Sequence, residues 1–243
     1  MTANSSVANE NDNNNMLADA MNYLSYLLGL IELQDWQKFE EVALSNPQTF
    51  KMISKSIGEC EEFNGMTLLH ACVRFNPPLP ILKKMIQIYP RALVGEDCLG
   101  RTPLHVAAGS GVSPSIIKLL TVNYPEACNI QDEDGRTPLL FACDTSCELF
   151  EDEEGGGDMN SQPSRDPPSL DTVRVLLSGS LDSVILEDVD EMNAVEYALV
   201  SDADIEVVNL LQRATQRVMK KKNPSRPQQR ASINGSVSRI SVH

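Results

Sequence analysis

The chain has 243 residues and a formal net charge of −14, and only 5% of its residues are aromatic. That length allows one or two domains, the scarce aromatics predict an aliphatic core, and no apolar run approaches the ~20 residues of a membrane span. The charge is unevenly spread. No Asp or Glu follows Glu206, whereas Arg213, Arg217, Lys220, Lys221, Lys222, Arg226, Arg230 and Arg239 all lie beyond it. An acidic body argues against a nucleic-acid-binding surface, because phosphate contacts need Lys and Arg. It favours a partner with a basic surface.

Residues 1–15, MTANSSVANENDNNN, carry almost no apolar side chains, which predicts disorder. They have neither a basic n-region nor an apolar h-region, so no secretory leader is expected and the six cysteines are expected to be reduced, in cytoplasm or nucleus. From Met16 the pattern turns helical through Leu17, Met21, Leu24, Leu27, Leu28 and Ile31. Trp36, Phe39 and Val42 mark a second helix. The stretch 16–57 reads as a degenerate N-terminal cap, with Trp36 covering the open end of the core and Gln48–Phe63 serving as a connection.

Next come NGMTLLHAC, DCLGRTPLHVAAGSG and DEDGRTPLLFAC, whose glycines Gly65, Gly100 and Gly135 are 35 residues apart. A fixed period of this size signals stacked repeats. Each part has a physical role. The glycines suit a tight turn with positive φ. Thr102 and Thr137 can cap a helix, and Pro103 and Pro138 then fill the first helical position, where a missing N–H costs nothing. Leu104, Ala107 and Ala108 give an apolar stripe. Gly109-Ser110-Gly111 stops that helix. Pro114 starts another, with Ile116, Ile117, Leu119 and Leu120 apolar, and Tyr124-Pro125 ends it. Neither helix can bury its apolar face alone, so copies must stack. Units are expected near 62–96, 97–131, 132–187 and 188–213.

After Cys143 the period breaks. An acidic, Gly- and Pro-rich insertion over 146–168 reads as a surface loop, and the delayed second helix falls at Leu170–Leu177. The unit 188–213 keeps Asp188, Val195 and Ala198 but loses its glycine and proline, as expected of a C-terminal cap. A helix from about Asp204 runs toward Lys220–Lys222, and 214–243 is read as its end plus a basic, disordered tail. That tail suits either nuclear import or a contact with the acidic insertion.

Asp97, Gly100, Thr102, Pro103, Leu104, His105, Ala107, Ala108 and Gly111 match D-x-x-G-x-T-P-L-H-x-A-A-x-x-G. The chain thus resembles the ankyrin repeat family over roughly 24–213. The resemblance implies an all-α solenoid of helix-turn-helix repeats with β-hairpin-like fingers and a concave binding face. It also implies that His70 and His105, in the TPLH position, bond neighbouring backbone and lock repeats together. Carried onto this chain, the finger tips are Phe63, Asn64 and Met66; Cys98, Leu99 and Arg101; Glu133, Asp134 and Arg136; and Val189, Asp190 and Met192. The inner helices offer Arg74, Phe75, Ser110, Asp144 and Thr145. The function implied is a non-enzymatic, monomeric scaffold or adaptor that binds a partner protein. The alternative is a regulatory or targeting subunit of an enzyme or transcription factor.

No chemistry is expected. Cys143 and Cys147 have C-x3-C spacing, but no second Cys/His pair completes a zinc site. Gly155-Gly156-Gly157 lacks the Lys-Ser/Thr of a phosphate loop. No catalytic residue, cofactor, metal, nucleic acid or membrane partner is assigned.

Overall fold

The computed structural model describes residues 21–58, 64–146 and 166–222. Its repeating unit starts from the Thr-Pro pairs. Thr102 is extended (φ −86°, ψ 166°) and Pro103 opens helix α6, Pro103–Gly109. Gly111, at φ 63°, turns the chain, and Pro114 opens α7, Pro114–Asn123. Tyr124 ends α7, and Pro125–Asn129 follows as a 3-10 turn. The other units run alike: α4 (Leu68–Arg74) with α5 (Leu79–Ile88), α8 (Pro138–Cys143) with α9 (Leu170–Gly179), and α10 (Ala194–Val200) with α11 (Ile205–Lys222). Residues 147–165 of the expected insertion lie outside the described residues, and α9 begins where the sequence places it. The short helices α4, α6, α8 and α10 pack on one another in one layer; α5, α7, α9 and α11 form the second.

Leu69, Leu104 and Leu139 occupy one slot of the short helices and are 1–2% exposed. Ile116, Ile117 and Leu120 of α7, with Val173 and Leu176 of α9, close the space between the layers. No helix among the described residues is long and apolar enough to cross a membrane.

The N-terminal cap differs from its expected form. Helix α1 covers 21–32 and α2 covers Trp36–Ala43, as read, and Trp36 packs edge-on to Phe39 at 6.2 Å. The stretch read as a connection from Gln48 is instead largely helix α3, Pro47–Gly58. The Asn46 Oδ1 accepts the Thr49 N–H at 3.2 Å and starts it. Phe50 and Ile57 then bury their side chains, at helical spacing. A full helix thus replaces the 3-10 turn used by later repeats.

Consecutive repeats are locked by imidazoles. His70 Nε2 faces the Arg101 carbonyl at 2.9 Å, and His105 Nε2 faces the carbonyls of Ile130 and Arg136, each at 3.1 Å. A carbonyl only accepts, so Nε2 carries the proton. Nδ1 then accepts the Thr67 N–H (3.1 Å) in one repeat and the Thr102 N–H (3.0 Å) in the next. Protonating Nδ1 would set two donors against each other. Burial also disfavours the cation, and both imidazoles are pushed down to about 4.

Two expectations follow. A Cβ on Gly179 would lie 2.4 Å from Thr121 Cγ2 and 2.5 Å from Cys128 Sγ, so α9 ends where only glycine fits. Gly179→Ala is expected to lower unfolding free energy by about 1–3 kcal/mol in a urea melt. The histidines set an acid limit. Above pH 6.5 both states leave them neutral. As pH falls from 6.5 toward 4 the unfolded chain takes up protons that the folded chain refuses, so stability drops. Between pH 7 and 5 the pair should remove about 4 kcal/mol, read as a falling urea midpoint. His105→Leu, the residue already in this slot at Leu140, should halve that dependence.

Candidate functional site

The fingers are built by aspartates. Asp97 Oδ1 accepts the N–H of Leu99 (3.0 Å) and of Arg101 (2.9 Å). Asp132 does the same for Asp134 (3.1 Å) and Arg136 (2.7 Å), and Asp188 for Asp190 (3.0 Å) and Met192 (2.9 Å). Each hairpin also closes through backbone, as in Asp97 N–H to Arg101 O at 3.0 Å. Gly65, Gly100 and Gly135 sit at the tips with φ of 74–77°, and Glu191 takes that conformation at φ 60°. One hydrogen bond joins each finger to the next: Cys98 N–H to Asn64 O, Glu133 N–H to Leu99 O, Val189 N–H to Asp134 O. At Gly135 the approach is tight, because a Cβ there would come within 3.1 Å of Asp188 Cα.

This wiring sorts the residues named from the sequence. Asn64, Cys98, Leu99, Glu133 and Asp134 are exposed, as is Arg74 on the inner helix. Arg74 lies over the half-buried Phe75 ring, 5.5 Å from its centre. Met66 and Ser110 are also half-buried. Phe63 lies outside the described residues. Arg101 and Asp144 are not on the surface: both are 7% exposed. The Arg101 Nε donates to Asp97 Oδ2 at 2.8 Å, which turns the guanidinium inward to hold its own finger shut. Asp144 Oδ1 accepts the Ser146 N–H and hydroxyl and shapes the loop after α8. Arg136 is intermediate, 3.4 Å from Asp132 and 2.7 Å from Asp134, with its guanidinium 4.7 Å from the centre of the Phe141 ring.

Sequence reading missed Tyr197, whose hydroxyl donates to Asp188 Oδ2. It replaces the finger arginine with a residue from the helix, and burial with the nearby carboxylate pushes the phenol up. The available signal was the absence of Lys and Arg from 182–206, which leaves Asp188 needing another donor.

His70 and His105 are fully buried and committed to backbone. Among the described residues no three His, Cys, Asp or Glu side chains are grouped to hold a metal; Cys147, of the C-x3-C pair, lies outside them. Burial pushes the Cys72 and Cys143 thiols up, away from reactive thiolate. Electrostatically the last two fingers are acidic, with Glu133, Asp134, Asp190 and Glu191 all exposed.

Compared with known proteins, residues 85–142 match the family model of ankyrin repeats (many copies). No curated protein matches the chain. Ankyrin repeats are in general non-enzymatic modules for protein–protein interaction. The match spans the second and third fingers with α6 and α7 between them, and the same finger and cap geometry recurs beyond it. Residues 85–142 are thus identified as ankyrin repeats, and the units on either side share their geometry.

Proposed function

We propose that the chain is a scaffold or adaptor whose fingers and inner helices grip a partner protein with a basic surface. The observation that carries this reading is the separation of framework from display. Asp97, Asp132, Thr102, Thr137, His70 and His105 are buried and spent on backbone. Between them Asn64, Cys98, Leu99, Glu133, Asp134, Val189 and Asp190 point outward from a hydrogen-bonded ladder. A rigid ladder presents these side chains with little ordering cost on binding. Leu99 and Val189 are 42% and 67% exposed and supply apolar anchors, and the neighbouring carboxylates favour lysine or arginine across the contact.

Four described cysteines, Cys72, Cys98, Cys128 and Cys143, are free thiols, which suits a reducing compartment, cytoplasm or nucleus. Of the basic residues that would mark a nuclear or autoinhibitory tail, Lys220, Lys221 and Lys222 end α11 and are exposed, whereas Arg226, Arg230 and Arg239 lie outside the described residues.

The test is affinity capture from native cell extract with the intact chain and with a Leu99→Asp, Glu133→Lys variant. Both sites are exposed, so the melting temperatures should agree. A partner held by the intact chain and lost by the variant is the expected result. Retention by both would move the contact off the fingers.

A further inference from the structure

The last repeat leaves open the face that every earlier repeat has covered. Counting six residues from the N-caps Thr67, Thr102, Thr137 and Asn193 gives Val73, Ala108, Cys143 and Leu199. The first three are 0–3% exposed, but Leu199 is 57% exposed. Next to it Val200 is 77% exposed, in a slot that is buried at Gly109 and Asp144 and holds a charged, exposed side chain at Arg74, and Ile205, opening α11, is 67% exposed. Terminal repeats ordinarily carry a polar outer face to stay soluble. A leucine, a valine and an isoleucine within seven residues, left in water, depart from that pattern.

The finger ladder is open at the same end. Asn64, Leu99 and Asp134 each give their carbonyl to the next finger. The equivalent carbonyl is that of Asp190, and no backbone N–H among the described residues donates to it. The charge around this face is of one sign. Asp190, Glu191, Glu196, Asp202, Asp204 and Glu206 are exposed, and no Lys or Arg occurs in 182–206.

Together these features select one occupant. A second copy docked end to end would set these carboxylates against their own equivalents, which is repulsive. A polar basic strand would leave Leu199 and Val200 wet. We infer that the open face of the last repeat docks an amphipathic helix of another protein, apolar on one side and flanked by lysine or arginine. The helix takes the place that a further repeat would fill, apolar side chains on Leu199, Val200 and Ile205 and cations over Glu196, Asp202 and Asp204. This surface lies apart from the fingers Asn64–Glu133 and meets the finger contact only at the last finger, at Asp190 and Glu191.

The experiment titrates the full chain into a fluorescein-labelled synthetic leucine–lysine helix and into an equally charged lysine–glutamine peptide without leucine. The expected result is saturable binding of the leucine peptide, weakened at least about tenfold by Leu199→Gln with Val200→Gln and by added salt, and unchanged by Leu99→Asp. Both replaced side chains are exposed, and an unchanged melting temperature checks the fold. Equal binding of the two peptides, or equal binding by the variant, would show attraction by charge alone and overturn the inference. So would a concentration-dependent dimer abolished by the variant, which would make a second copy the occupant. A tenfold gain on replacing Arg226, Arg230 and Arg239 by Gln would overturn it too, by assigning the face to the chain's own tail.

Discussion

Each finger is a hairpin of about five residues, far too short to hold itself together in water. What closes it is a buried carboxylate oxygen that accepts two amides of the same turn, at Asp97, Asp132 and Asp188 alike. The remaining oxygen takes a donor suited to its place: Arg101, Arg136 or the Tyr197 hydroxyl. A carboxylate this buried is costly unless fully bonded, so the pattern is all or nothing. Once closed, the turn fixes the threonine or asparagine cap, the cap fixes the first turn of the short helix, and the helix carries the leucine and alanine positions into the core. Stacking then follows from apolar area that no single repeat can hide.

That economy explains how the surface is left to function. Backbone, caps and core consume the aspartate, threonine, histidine and leucine of each unit. The side chains between them carry less of the frame, so Cys98, Leu99 and Glu133 are free to differ from finger to finger without loss of the stack, while Asp134 also pairs with Arg136. They change along it from neutral and apolar to acidic. Binding character is thus graded along a nearly uniform frame.

The fold was legible because its signals are local. Glycine at 35-residue steps, threonine before proline and alanine pairs each have a short-range cause, and the helices stand where those signals put them. Helix α3 was missed because its start lies in Asn46, whose side chain caps Thr49, and because the repeat template led to a turn there. The surface was less legible. Arg101 sits four residues after Asp97, and in an extended chain its side chain would reach solvent; the hairpin folds it back onto the carboxylate. Asp144 was misplaced for the same reason, since its bonds to Ser146 depend on a bend that no spacing shows. Exposure of Leu199 depends on what is missing above it, which no local pattern records.

The substitution of Leu140 for histidine makes the seams of the stack unequal. Two junctions are sealed by imidazoles out of reach of water. At the third, Leu140 offers no hydrogen bond, and the exposed Gln131 amide reaches the Glu187 carbonyl at 2.9 Å instead. Water competes for that bond at no cost. The first two seams thus hold side-chain bonds that water cannot reach, and the third holds one that it can, beside the backbone bond from Val189 to Asp134. The seam open to water lies next to the exposed Leu199 and Val200.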